Sequence, residues 1–162
     1  MLAAETPVAI ALHGGAGTIQ RDTMSPELEA TYRAFLDDAV SEGYRQLREG
    51  QSGLDVVVSI IQLMEDSPLF NAGRGAVYTW EGTHELDASI MHGEDLDAGA
   101  VAGVHTVRSP IALARAVMEE SPHVMLAGSG AEAFALERGF DVVPPEYFAT
   151  DRRRKALEAF KA

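Results

Sequence analysis

Apolar residues recur at helical spacing in two long stretches of the N-terminal half. The first follows Ser25 and Pro26, an N-cap residue and a proline suited to the first helical turn, and ends at Gly50. The second begins at Ser52 and ends before Pro68, is apolar over much of its surface, and is therefore expected to be well buried. The stripe of the first helix comprises Leu28, Tyr32, Phe35, Leu36, Ala39, Val40, Tyr44 and Leu47.

Shorter apolar or alternating runs predict strands in the first 91 residues. Residues 8–12 form a continuous apolar run before a glycine-rich turn, which is typical of a buried strand. Residues 76–79 and 84–91 flank a turn-like segment and predict a hairpin with one packed face. The residues expected on that face are Leu86, Ala88 and Ile90.

The C-terminal half adds two strands and three helices. Residues 98–107 are small and apolar, as in a strand crowded against a neighbour, and residues 123–127 predict a short buried strand. Helices are predicted over residues 109–120, 128–139 and 151–160. Because helices precede and follow a central meander without regular alternation, we expect an α+β fold with an antiparallel sheet covered by helices.

The connector of residues 67–75 between the second helix and the next predicted strand has an unusual composition. Proline and two glycines fix or free its backbone angles, and it also carries an amide, Asn71, and a cation, Arg74. Local chemistry alone describes a tight helix-to-strand connection. The alternative is a loop shaped to hold something, and the two interpretations stay open at this point.

Composition is that of an ordinary globular domain of 162 residues, 46% hydrophobic and 23% charged. Thirteen basic against 25 acidic residues give a net charge of −12, which disfavours nucleic acid or an anionic membrane as a partner. Residues 1–7 lack the features of a signal peptide, and no apolar run approaches a membrane span. With no cysteine present, we expect no disulfide or thiolate chemistry and a cytoplasmic location.

Two glycine-rich segments invite functional hypotheses. Residues 128–133 match G-x-G-x-x-A between a strand and a helix, but so late in the chain the pattern favours a glycine turn, with a non-catalytic nucleotide-binding module as the alternative. The His13-Gly14-Gly15 turn is similar to the oxyanion loop of esterases, which requires a G-x-S-x-G elbow elsewhere. The segment that comes nearest to this pattern surrounds Ser129, but it has alanine at both outer positions, Ala127 and Ala131. This argues against that class of serine hydrolase.

A transition-metal site could be imagined from His84, Glu85, Asp87 and His92. In a strand, however, Glu85 and Asp87 point away from His84, so we expect no such site and interpret Asp87 as a hydrogen-bonding structural acid. The chain thus carries glycine-rich loops suited to a site, yet no nucleophile with an evident base. Either it is not an enzyme or part of the enzyme is missing.

Five motifs in order resemble a known family. They occupy residues 10–17, 68–77, 84–88, 99–104 and 121–125 and together extend over essentially the whole chain. The combination resembles the α-subunit of the plant-type L-asparaginases and isoaspartyl (β-aspartyl) peptidases, which are N-terminal nucleophile (Ntn) hydrolases. Each motif alone would be a weak signal.

The resemblance implies a four-layer αββα sandwich, of which this chain supplies the α-subunit half. In that family a precursor cuts itself before a threonine, and the new N-terminal Thr of the β-subunit is the nucleophile, with its own α-amino group as base. Residues 1–150 would then form the α-subunit part of the domain, and residues 151–162 a charged tail near the cleavage site. The implied assembly is an (αβ)₂ heterotetramer that hydrolyses L-asparagine and β-aspartyl dipeptides to L-aspartate without a catalytic cofactor.

The resemblance also implies roles for residues of this chain. Asn71 would lie beside the partner's threonine as a supporting catalytic residue, and His13, Gly14 and Gly15 would form a loop near the cleavage site. A structural Na⁺ would be bound by backbone carbonyls, a ligand type that suits a hard cation. Glycosylasparaginase-like and threonine-aspartase-like activities remain alternatives within the family. The carbonyls implied for Na⁺ are those of Met64, Glu65, Ser67, Phe70, Ala72 and Arg74.

Overall fold

The computed structural model describes residues 7–15 and 24–162. The chain divides into two compact units, Met1–Ile60 and Ile61–Ala162. Among the residues described, no helix has the length and apolar character needed to cross a membrane. The elements in order are α1 (Pro26–Arg48), α2 (Gly53–Glu65), β1 (Leu86–Met91), β2 (Ala98–Val104), α3 (Pro110–Glu120), β3 (Met125–Ala127), α4 (Gly128–Glu137), a 3₁₀ helix (Pro145–Phe148) and α5 (Asp151–Lys161).

All five predicted helices are confirmed, and serine hydroxyls cap the start of the first two. The Ser25 hydroxyl oxygen accepts a hydrogen bond from the Leu28 N–H at 3.2 Å and begins α1. The residue after the C-cap of this helix, Gly50, has φ = 87°, a left-handed conformation that favours glycine. Ser52 caps α2 in the same way by accepting from the Asp55 N–H at 3.1 Å.

The first unit is built on one apolar cluster between α1 and the part of α2 that belongs to it. Its buried members are Ala39, Val56 and Ile60, with Ile10, Leu12, Phe35 and Leu47 packed around them. Gly43 lies in the C-terminal part of α1, where a Cβ atom would come within 2.5 Å of Ile10 Cδ1. The glycine therefore makes room for the N-terminal segment to lie against the helix.

The expected strand over residues 8–12 is wrong, because the described segment 7–15 has no regular secondary structure. Its burial nevertheless alternates as on one face of a strand: Val8, Ile10 and Leu12 are half-buried and their neighbours are exposed. No backbone hydrogen bond joins these residues to another segment within the described ranges. A strand requires such a ladder, so an apolar run alone does not make one.

The sheet of the second unit has the order β1-β2-β3. β1 pairs antiparallel with β2, and β2 pairs parallel with β3. The expectation of a purely antiparallel sheet is therefore wrong for this sheet. A chain that leaves β2, passes through α3 and returns as the neighbouring strand crosses over, and a crossover of this kind produces a parallel pair.

The predicted hairpin has the wrong partner, since β1 pairs with β2 and residues 76–79 form no strand. The Val77 N–H donates to Asn71 Oδ1 at 2.8 Å, and Val77 O lies 3.1 Å from His84 Nδ1. Side chains therefore take the backbone groups that a strand ladder would need. The predicted alternation within β1 is confirmed, because Leu86 and Ile90 are buried while Asp87 and Ser89 are exposed.

Helix α3 packs directly on β2, as the small residues of that strand predicted. A Cβ atom on Gly99 would overlap the carbonyl oxygen of Ala114, so the helix and the strand backbone are in contact. β3 was expected to be buried, but Met125 and Ala127 are exposed because it lies at the edge of the three-stranded sheet. The largest buried side chains of this unit include Phe148, Ile111, Leu113, Val101, Val104, Val107 and Val117.

Asp87 is the structural acid that the sequence predicted. Its Oδ1 accepts a hydrogen bond from the Gly103 N–H at 2.8 Å, across from the neighbouring strand. The pairing of β1 with β2 shifts register between Leu86 and Ala88, at the position of Asp87. The carboxylate therefore satisfies a backbone N–H where the ladder is interrupted.

Glu132 of α4 fixes the turn after β2 and makes stability depend on pH. Burial alone would raise its pKa, but hydrogen bonds from the His105 N–H, the Thr106 hydroxyl and the Thr106 N–H outweigh it and hold the pKa below its ordinary value of 4.5. A folded-state pKa below the unfolded one means that the stabilisation is present above the ordinary pKa and is lost as pH falls through the folded one.

We therefore expect Glu132→Gln to be less stable than the wild type at neutral pH, with the difference shrinking as the solution is acidified. Denaturant unfolding of both proteins at neutral and acidic pH measures this. A difference that stays constant across that range would show that the charge of Glu132 is not what holds the turn.

Candidate functional site

Residues 64–75, called here the carbonyl loop, fold back onto the end of α2. The Arg74 N–H donates to Glu65 O at 2.7 Å. A Cβ atom on Gly73, which has φ = 45°, would overlap that same carbonyl. A Cβ atom on Gly75 would come within 2.5 Å of Phe70 O. These glycines therefore permit backbone-to-backbone contacts that no other residue fits.

The carbonyl loop leaves several of its carbonyl oxygens available. Those of Ser67, Ala72 and Arg74 receive no hydrogen bond from any residue that the structure describes. The Met64 and Glu65 carbonyls each accept one bond from the loop itself, from Ser67 N–H at 3.2 Å and Arg74 N–H at 2.7 Å. Since a carbonyl oxygen has two lone pairs, these two also keep an acceptor position.

The side chain of Glu65 ties the carbonyl loop to the start of α3. Its carboxylate accepts from the Ser109 hydroxyl at 2.7 Å and from the Ile111 N–H at 2.9 Å. Burial raises the pKa of Glu65 to about 7, although both hydrogen bonds act to lower it. A carboxylate at the N-terminus of a helix binds free N–H groups there. Sequence reasoning assigned Glu65 only a backbone role and missed this anchor; an acid in the last turn of a buried apolar helix was the available signal.

The next side chain, Asp66, is bound from two other segments. Arg108 Nη2 lies 3.2 Å from Asp66 Oδ2, and the Tyr147 hydroxyl donates to Asp66 Oδ1 at 2.8 Å. The Arg108 guanidinium also lies 5.9 Å from the centre of the Tyr147 ring. The ion pair between Arg108 and Asp66 is exposed and therefore contributes little to stability. Its main effect is to fix the position at which α2 ends and the loop begins.

Asn71 lies at the exposed tip of the carbonyl loop. Its side-chain oxygen accepts the Val77 N–H at 2.8 Å, which fixes the amide plane. The amide nitrogen lies in the same plane as this oxygen and can donate to a group outside the loop. The arrangement can orient and polarise an external oxygen, but it holds no nucleophile of its own.

The predicted His13-Gly14-Gly15 turn belongs to the first unit. His13 Nδ1 accepts from the Gly15 N–H at 3.1 Å, and Gly15 has φ = 100°. The side chain of His13 thus closes a tight turn that requires glycine at its third position. The rest of this motif, residues 16 and 17, lies outside the described residues.

The four residues considered as metal ligands in the sequence do not form a cluster in the structure. His84 is buried against the Tyr78 ring, 4.1 Å between centroids, whereas Glu85 and Asp87 are exposed, and His92 pairs with Asp95 at 2.8 Å. Burial also lowers the pKa of His84, despite hydrogen bonding to backbone carbonyls. Within the described ranges no group of three His, Cys, Asp or Glu side chains could hold a metal ion.

Comparison with known proteins places the chain. A family model described as asparaginase matches residues 6–162. The chain belongs to the asparaginase family. The resemblance inferred from five motifs is thereby confirmed, and no observation at residues 128–133 favours the nucleotide-binding alternative.

Relatives of this asparaginase-family chain carry related names. The isoaspartyl peptidase of Salmonella typhimurium is 53% identical over 153 residues, which are 94% of this chain and 49% of the relative. The Escherichia coli isoaspartyl peptidase is 53% identical over 150 residues, 93% of this chain and 47% of the relative. The plant-type L-asparaginase of Pyrococcus furiosus is 48% identical over 155 residues, 95% of this chain and 48% of the relative. The chain thus spans about half the length of the curated relatives it matches.

Proposed function

We propose that this chain is the α-subunit half of a hydrolase that releases L-aspartate from L-asparagine and from β-aspartyl dipeptides. The observation that carries the proposal is the 53% identity to proteins named isoaspartyl peptidase over 94% and 93% of the chain. The plant-type L-asparaginase of Pyrococcus furiosus, at 48% identity, supports L-asparagine as the second substrate. The relatives named here include no glycosylasparaginase, so that alternative gains no support.

The nucleophile would come from the other half of the protein. Matching only about half of each relative is consistent with a partner segment of similar size. Two features of this chain fit such a partner: residues 7–15 lack backbone pairing to another described segment, and β3 leaves one side of the sheet open. Strands from a β-subunit would complete these ladders and produce the four-layer αββα sandwich, assembled as an (αβ)₂ heterotetramer in the cytoplasm.

The proposed reaction proceeds through an acyl-enzyme on the partner's N-terminal threonine. The threonine oxygen attacks the side-chain carbonyl carbon of the substrate while its own α-amino group takes the proton. The tetrahedral species collapses, and ammonia or the amine of the second amino acid leaves with that proton. Water then attacks the ester and releases L-aspartate. Asn71 would donate its amide N–H to an acceptor group beside the threonine and hold that group in position for the attack.

A structural Na⁺ fits the carbonyl loop. Ser67, Ala72 and Arg74 offer carbonyl oxygens that accept no hydrogen bond from the described residues, and Met64 and Glu65 keep a second lone pair each. Oxygen ligands from the backbone suit a hard cation, and the loop's glycines allow them to converge. With Phe70 O as the sixth ligand, the ion would neutralise the carbonyl dipoles and fix the loop that carries Asn71.

Variants of Asn71 test the proposal. In the full-length protein, Asn71→Ala is expected to lower aspartate release from a β-aspartyl dipeptide by about 10- to 100-fold, as expected when a positioning contact is lost. Because Asn71 is exposed, the melting temperature of the Asn71→Ala variant should stay close to that of the wild type. Asn71→Asp is the matched control, since it keeps an oxygen for the Val77 N–H while it replaces the amide donor by a second, negatively charged oxygen.

Coupled aspartate detection measures the rates, and mass spectrometry shows whether each precursor has been cut. Equal loss in the Ala and Asp variants assigns the role to the amide nitrogen. Full activity of Asn71→Ala would return the loop to the status of a connector. No aspartate from the wild type, with both halves present, would contradict the proposed function.

A further inference from the structure

Two consecutive arginines of α5 contact the carbonyl loop from outside. Arg152 Nη2 donates to Leu69 O at 2.9 Å and reaches Pro68 O at 3.5 Å. Arg153 Nε donates to Gly75 O at 2.6 Å. Hydrogen bonds from a charged donor are about twice as strong as neutral ones, so these contacts weigh more than ordinary loop bonds.

These arginine contacts fall on carbonyl oxygens outside the set proposed for Na⁺. The guanidinium groups bind the oxygens of Pro68, Leu69 and Gly75, none of which belongs to the set implied for Na⁺. The two guanidinium groups therefore bring positive charge to the loop at Pro68, Leu69 and Gly75. Charge-assisted hydrogen bonds to these three carbonyls favour the loop conformation in which all of them are made.

The contacts also bracket the functional amide. Leu69 precedes Asn71 by two residues and Gly75 follows it by four. Arg153 and Arg152 thus fix the backbone on both sides of Asn71, and Val77 N–H fixes its side chain at 2.8 Å. The amide is held at three points, and two of them depend on α5.

Helix α5 is placed to make both contacts. The Thr150 hydroxyl oxygen accepts the Arg153 N–H at 3.3 Å and caps its N-terminus, just after the fully buried Phe148. Successive side chains on a helix project about 100° apart, so neighbouring arginines can reach separate points of one loop. Arg154, the next residue, pairs with Asp151 of its own helix instead.

We propose that Arg152 and Arg153 are positioning residues, an arginine clamp that holds the carbonyl loop in the conformation presenting Asn71. The catalytic consequence rests on the function proposed above. The clamp itself rests on the hydrogen bonds to Leu69 and Gly75 and can be tested without activity.

The test compares Arg152→Gln and Arg153→Gln with Arg154→Gln in the full-length protein. All three remove one positive charge from the same helix, but only the first two remove a contact to the loop. Hydrogen–deuterium exchange of peptides containing residues 67–76 should be faster in the first two variants and unchanged in Arg154→Gln. For hydrolysis of a β-aspartyl dipeptide, kcat should fall about tenfold in the first two variants, with KM within about twofold, because the loop positions a reacting group rather than holding substrate.

Two results would overturn the clamp. One is the same loop exchange in all three variants. The other is a fall in kcat that only follows a lower melting temperature, which would make the arginines purely structural. If the wild type releases no aspartate, the proposed function fails, while the exchange comparison still decides whether the clamp holds the loop.

Discussion

Replacing Phe148 by alanine is expected to lower the free energy of unfolding by about 3–5 kcal/mol, the usual cost of emptying a buried aromatic site. Phe148 is completely inaccessible to solvent. Its ring makes edge-on contacts with Tyr147 at 5.3 Å and His84 at 6.2 Å between centroids. A cavity here would loosen the 3₁₀ helix that leads into α5 and, with it, the arginine clamp.

Denaturant unfolding of the full-length protein, followed by circular dichroism, measures the loss. Phe148→Leu serves as the graded comparison, because it fills part of the cavity and should cost clearly less than alanine. Equal stability of the alanine and leucine variants would show that the site collapses around the smaller side chain and does not support α5 as described.

Replacing Gly73 by alanine is expected to lower the free energy of unfolding by about 2–5 kcal/mol, combining overpacking with the cost of a left-handed conformation. The new methyl group would overlap the backbone carbonyl of Glu65, which cannot move without breaking its bond to Arg74 N–H. The loop would have to open, so aspartate release should fall together with stability.

Gly82→Ala is the matched control for Gly73→Ala. Gly82 also has a positive φ, 88°, but a Cβ atom there meets nothing within 4 Å. Gly82→Ala should therefore lower the free energy of unfolding only by the cost of the left-handed conformation, about 1–2 kcal/mol. It should leave aspartate release unchanged. Similar losses in the two variants would mean that contact with Glu65 does not shape the carbonyl loop.

Local sequence signals predicted the helices well. Serine caps such as Ser25 and Ser109, followed by proline, act within one turn and need no distant partner. Strands depend on a partner elsewhere in the chain. The strand predictions for residues 8–12 and 76–79 were therefore wrong, although the composition of both segments suits strands. At Val77 the competing partners were side chains, those of Asn71 and His84, which no periodicity could reveal.

The candidate site likewise has features that the local sequence shows and contacts that only the fold shows. The glycines and Asn71 of the carbonyl loop lie within five residues of one another, so the sequence shows them together, and the family resemblance implies their proposed role. The carboxylate of Glu65 and the guanidinium groups of Arg152 and Arg153 act through contacts to residues far away in the chain. The basic residues of α5 are a run of like charges in the sequence, and only the fold brings two of them to the loop.

We propose that this chain supplies the loop and that another chain supplies the nucleophile. Intact-mass analysis and N-terminal sequencing of the protein purified from the full gene, combined with an assay on a β-aspartyl dipeptide, test it most directly. We expect this half to copurify with a second chain whose first residue is threonine, and the pair to release L-aspartate. Aspartate release by a single uncut chain, or no release by a pair with an N-terminal threonine, would contradict it.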